Sequence, residues 1–141
     1  MVRLESQLVG VAGEYLVAGE LTLRGHLASI TLRNSRGIDI IASNSDATKS
    51  ISIQVKTNRD GRQSWILNKK SETFFSDNHF YILVAVSALG ERPTFHIVPS
   101  IIVAKRVTED HSNWLSGTKR DGSAGKDSSM RKFYDWNNEI V

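Results

Sequence analysis

Two short stretches carry residues suited to chemistry: "GID", with Asp39, and "SISIQVKTN", with Gln54 and Lys56. In the second, Ile51, Ile53 and Val55 alternate with Ser52, Gln54 and Lys56. A strand throws successive side chains to opposite faces. One face is therefore apolar and belongs in a core, while the other presents an amide and an ammonium side by side. Asp39 stands in an otherwise apolar run, where a carboxylate is costly to bury unless it is paired or binds a metal ion. "NSDATK" is rich in turn formers, so the two stretches read as a hairpin. Pairing Ser43 with Ser50 gives opposed residues whose numbers add to 93, with Asp39 opposite Gln54, Ile41 opposite Ser52 and Gly37 opposite Lys56. The same residues allow a plainer reading, a cross-strand ion pair between Asp39 and Lys56 with Gln54 as a polar edge residue.

A further carboxylate, Glu14, lies on the first helical stretch. Glu20 has Arg24 at i+4, the favourable spacing for a surface pair, whereas Glu14 has no basic residue three or four positions away.

These residues need a scaffold. From Leu4 to Arg24 the spacing predicts a helix, with Leu4, Leu8, Val11, Tyr15 and Ala18 as its apolar stripe and Gly25 as its stop. Gly10 and Gly13 inside it each cost about 1 kcal/mol relative to Ala, which close approach of another backbone would justify. Strands are predicted over 26–32, 37–43 and 50–56, followed by a short helical piece in "NKKSETFFSD". The continuous apolar run "HFYILVAVSA" reads as a central strand buried on both faces, and "TFHIVPS" as a fifth strand. A second helix starts at Ser100, a candidate N-cap. The expectation is one mixed α/β (α+β) domain over 1–141, with its core at about 4–116, a polar loop at 117–129 and an aromatic segment at 130–141 docking back.

Glu14, "GID" with Asp39 and "IQVK" with Gln54 and Lys56 resemble the signature of the PD-(D/E)XK nuclease superfamily, in its archaeal Holliday junction resolvase branch. The spacing "GEYLVAGELTLRG" and the order of elements over roughly residues 10–98 are similar too. The resemblance implies a restriction endonuclease-like α-β-β-β-α-β core, with a central mixed sheet flanked by helices. It implies a metal-dependent endonuclease hydrolysing phosphodiester bonds in DNA with Mg²⁺ or Mn²⁺. Asp39 would be the central metal ligand, joined by the Gln54 amide oxygen, the Val55 main-chain carbonyl and Glu14, while Lys56 would stabilise charge or orient the attacking water. It also implies a homodimer. The chain departs from the pattern at Ile38, where the superfamily's proline would stand, and at Gln54, where it has a glutamate. The missing charge lowers metal affinity, so a catalytically weak or inactive nuclease-fold protein that binds nucleic acid or a protein partner is the alternative.

Charge placement agrees with a polyanion partner. The net charge is +3, but the stretch from Arg24 to Lys70 holds nine Lys/Arg and three acids. Arg33, Arg36, Arg59, Arg62, Lys69 and Lys70 flank the site in sequence and are candidate phosphate contacts, and Trp65 is a candidate for base stacking, with packing over the sheet edge as its other reading. The absence of cysteine excludes disulfides, thiolate metal sites and a cysteine nucleophile, and suits a cytoplasmic protein. The four histidines lack metal-ligand spacing, and no glycine-rich phosphate loop or serine elbow is present. The most apolar segment, "FYILVAVSALG", is too short to span a bilayer, so no membrane partner is expected.

Overall fold

Strands with an apolar inward face build one five-stranded sheet, seen in a computed structural model that describes residues 5–32, 37–117 and 127–135. Its strands are Leu27–Ile30 (β1), Ile40–Ser43 (β2), Ser50–Asn58 (β3), His79–Ala85 (β5) and Thr94–Pro99 (β6), in the order β1-β2-β3-β5-β6. β3 and β5 run parallel and the other neighbours antiparallel. β5 lies between two strands and is buried on nearly every residue, as its unbroken apolar run requires. The hairpin register is the expected one over Ile40–Ser43, where Ile41 faces Ser52 and Ser43 faces Ser50.

The helix Ser6–Leu23 (α1) covers one face of the sheet, where Val17 packs with Ile40, Ala42, Ile53, Val55, Ile82 and Val84. It ends as a glycine-stopped helix should. Gly25 has φ +90°, its N–H donates to the Thr22 carbonyl, and the His26 N–H donates to the Leu21 carbonyl. Glu20 pairs with Arg24, and also with Arg92 at 2.8 Å. The inward stripe differs from the predicted one. Val9, Gly13 and Val17 are buried, whereas Leu8 and Tyr15 are 54% and 67% exposed. Leu4 lies outside the described residues. Gly13 decides the orientation, because a Cβ there would overlap the Thr57 hydroxyl and come within 2.9 Å of the Thr57 Cβ. A Cβ at Gly10 would meet nothing within 4 Å, so it has no such reason.

Two strands were not expected. Ser64–Asn68 (β4) and Met130–Tyr134 (β7) pair antiparallel as a small second sheet on the opposite face. With the helix Ser100–Ser116 (α2) they enclose a second core of Trp65, Leu67, Tyr81, Leu83, Val103 and Phe133, among others. The short helical piece is a 3₁₀ turn, Lys69–Glu72. Arg131 on β7, 4% exposed, pairs with Glu72 on that turn and also donates to the Ser128 and Met130 carbonyls. Ser100 does not cap α2. It is the helix's first residue, and its hydroxyl donates to the Ser76 carbonyl while accepting the Ser76 N–H. Among the described residues no helix is long and apolar enough to cross a membrane.

Two stability outcomes follow. Gly13→Ala gains helix propensity but forces α1 off Thr57, with an expected net loss of about 1–3 kcal/mol read from urea midpoints. Glu72→Ala leaves the buried Arg131 guanidinium without its carboxylate and costs about 3–5 kcal/mol in the same measurement.

Candidate active site

The ladder between β2 and β3 breaks at Asp39. The register would give the Val55 N–H to the carbonyl of Ile38. Instead that carbonyl accepts the Thr31 hydroxyl at 2.6 Å, and the Asp39 N–H donates to the Ile53 carbonyl at 2.8 Å. Ile53 is already the partner of Ile40, so two residues of one strand oppose one of the other, as in a bulge. The expected pairing of Asp39 with Gln54 is therefore corrected. The bulge turns the Asp39 side chain along β3, where its Oδ2 accepts the Val55 N–H at 2.8 Å. The carboxylate is thus tied to the residue between Gln54 and Lys56. Among the described residues its other oxygen, Oδ1, accepts no hydrogen bond.

Gln54 and Lys56 project from β3 to the face away from α1, and both line a cleft of about 680 Å³. Tyr81, the ladder neighbour of Gln54, joins them on its floor. The opposite wall comes from β4 and the 3₁₀ turn, with Asn68, Lys70, Ser71 and Phe74. At the rim, Gly37 has φ +61°, and a Cβ there would come within 3.5 Å of both Gln54 Oε1 and Phe74. The Gln54 amide is thus brought beside the segment that leads into Asp39. Among the described residues no acid lines this cleft, and neither Lys56 nor Lys70 has an ion-pair partner.

Glu14 is half-buried on α1, next to Gly13, whose contact with Thr57 brings this turn of the helix against the end of β3 that carries Lys56. Among the described residues no three of His, Cys, Asp and Glu gather as a metal cluster. The expected ligand set has only two carboxylates, because Gln54 supplies an amide.

The basic residues divide. Lys70 reaches the cleft and Lys69 is exposed beside it. Arg59 and Arg62 instead line a separate, mainly apolar groove with Tyr15, Leu16 and Leu89, and Arg62 lies 3.6 Å from Asp60. Arg33 and Arg36 lie outside the described residues. Trp65 is corrected outright. It is 2% exposed, its Nε1 donates to the Val84 carbonyl at 2.9 Å, and its ring lies against His96, so it is core and has no face for a base. His96 in turn binds the buried Asp135 at 2.8 Å. The residues that sequence reasoning missed are Phe74 and Tyr81. Phe74 carried a faint signal, an aromatic in a lysine-rich polar stretch. Tyr81 carried none, being one of many apolar residues in its run.

No protein-family model matches the chain, and no curated protein matches it. Among solved structures it resembles that of Hjc, a Holliday junction resolvase from the archaeal hyperthermophile Archaeoglobus fulgidus. The identity is 13%, over 89% of this chain and 84% of that one, with a TM-score of 0.50. The likeness is one of fold. The chain shares the mixed α/β fold of that resolvase, in line with the expected order of its elements.

Behind the cleft wall, His79 is 2% exposed, takes part in a 2.7 Å hydrogen bond with Ser52 Oγ through Nδ1, and has no partner at Nε2. Burial lowers its pKa from 6.5, only partly offset by the Ser52 contact and the attraction of Asp39. Above 6.5 the imidazole is neutral both folded and unfolded, so it adds no pH dependence. As pH falls below 6.5 the unfolded chain takes up the proton first, and stability drops until the folded-state pKa is also passed. Urea midpoints measured at about pH 7.5 and about pH 5.5 should fall in the wild type and fall less in His79→Gln.

Proposed function

We propose that this protein is a metal-dependent endonuclease that hydrolyses phosphodiester bonds in DNA, with Glu14, Asp39, Gln54 and Lys56 as its site. The observation that carries the reading is the Asp39 carboxylate, bound to the Val55 N–H between the two polar residues of the Gln-x-Lys strand, beside an acid-free cleft. The fold shared with a Holliday junction resolvase supports it.

The donor types fit a hard cation. Asp39 Oδ1, the Gln54 amide oxygen, the Val55 carbonyl and the Glu14 carboxylate are all oxygens, the set that Mg²⁺ or Mn²⁺ takes. When bound, such an ion supplies a more acidic water and neutralises phosphate charge. Asp39 is the fixed member, since its position is set by a main-chain bond and not by side-chain freedom. Lys56 meets the negative charge that builds on the phosphorane oxygens. Lys69 and Lys70, with Arg33 and Arg36, hold flanking phosphates, which makes binding steeply salt-dependent, whereas Arg59 and Arg62 face a different groove. A second copy of the chain supplies the grip on a duplex that one small domain lacks. Gln54 favours the second reading, a nuclease fold that binds nucleic acid or a protein partner and cuts weakly or not at all, because it removes one negative charge from the metal set.

Nicking of supercoiled and branched DNA in Mg²⁺ or Mn²⁺ tests the proposal. Asp39→Asn keeps an oxygen for the Val55 N–H, so it should fold normally while losing activity by at least about 100-fold, and Lys56→Ala should lose a similar factor. Gln54→Glu should lower the metal concentration needed for half-maximal rate. Cleavage that survives both Asp39→Asn and Lys56→Ala would place the chemistry elsewhere. Salt-sensitive binding without cleavage in any variant selects the second reading.

A further inference from the structure

We propose that the cleft beside Asp39 accepts a single unstacked nucleotide, with its phosphate between Lys56 and Lys70 and its base on Phe74. The inference rests on the nucleic-acid reading above and adds to it the local shape of the substrate. The cleft's volume, about 680 Å³, falls among sites that enclose a small ligand, about 300–1,000 Å³.

Its chemistry is that of a nucleotide's two halves. Lys56 rises from the floor and Lys70 from the facing wall, with no acid between them. An anion between them would meet two ammonium groups held by different elements, β3 and the 3₁₀ turn. Phe74 is 40% exposed although it stands in the wall of a cleft. Its ring is fixed nearly perpendicular to the buried His79, at 83° and 4.9 Å between centroids. An aromatic held in place and left half open is a stacking platform, and stacking accepts any base.

Tyr81 is an independent sign. Its residue is only 2% exposed, it reaches the cleft floor, and among the described residues its hydroxyl has no hydrogen-bond partner. Burial pushes its pKa up to about 12, so it stays a donor. A phenol with a buried ring whose O–H opens onto a cleft is suited to an acceptor on an incoming base or sugar. A base paired within a duplex stacks on its neighbours and cannot reach Phe74 or Tyr81, so the nucleotide must leave the stack.

The test is fluorescence anisotropy in EDTA, which removes any contribution from cleavage. Two labelled DNAs are compared, a fully paired duplex and the same duplex carrying one unpaired nucleotide. The wild type should bind the second about 10-fold more tightly, and Phe74→Ala should erase that preference. Phe74→Trp should keep it, with both variants melting near the wild type. Tyr81→Phe should weaken it with little change in binding to paired duplex. Equal binding of the two DNAs, or a preference that survives Phe74→Ala, overturns the inference. Metal-dependent nicking without the preference overturns this inference alone. The preference without nicking overturns catalysis and leaves the nucleotide cleft standing, whereas no binding to either DNA overturns both.

Discussion

The hydrogen bond from the Val55 N–H to the Asp39 carboxylate is the constraint on which the site depends. A buried main-chain donor at the end of a ladder must find an acceptor. Here the ladder has been diverted, because the Ile38 carbonyl turns to Thr31 and the Asp39 N–H doubles up on Ile53. A side chain therefore completes the sheet. The same bond stabilises β3 and aims the carboxylate, so fold and candidate chemistry share one contact. An asparagine could replace Asp39 in the first capacity but not in the second. Such a division explains how a charged residue persists in the apolar run "GIDIIA".

Around this contact the two faces of β3 have different work. Ile53 and Val55 lie in the core beneath α1, which Gly13 lets approach Thr57. Gln54 and Lys56 face the other way, towards β4 and the 3₁₀ turn. The alternation visible in "SISIQVKTN" thus separates scaffold from site. The basic residues follow no such simple division. Their density along the chain suggested one patch, but Lys56 and Lys70 share a cleft while Arg59 and Arg62 line another groove.

How far the sequence could be read depended on whether the deciding partner was near or far. The hairpin register was legible because a turn-rich hexapeptide joins two alternating strands, and local geometry then leaves little choice. The bulge at Asp39 was not, because the Ile38 carbonyl is taken by Thr31, just past the end of β1. The buried face of α1 was misjudged since that helix is apolar over much of its circumference, and a glycine, invisible to a hydrophobic count, selects the face. Trp65 left stacking and packing both open because its hydrogen-bond partner, Val84, and its ring neighbour, His96, lie 19 and 31 residues away. β4 and β7 escaped notice for the same reason. Each is five residues long and reads as a strand only beside the other. The cluster of Asp39, Gln54 and Lys56 was legible against all this because its residues lie close together on one hairpin.

The small sheet has a consequence for how the molecule is made. The cleft wall belongs to β4 and the 3₁₀ turn, yet these are held by β7, through ladder pairs such as Leu67 with Arg131 and through the Arg131–Glu72 clasp. β7 lies more than 60 residues further along the chain. During synthesis the helix, the hairpin and the Asp39 contact can all assemble while β7 is still within the ribosome, since chains fold in the order they emerge. The wall cannot be fixed until that last strand docks, a long loop closure that belongs to the slow part of folding. A nascent chain would therefore carry its carboxylate and lysine in place without a formed cleft, and acquire that cleft only once β7 has emerged and docked.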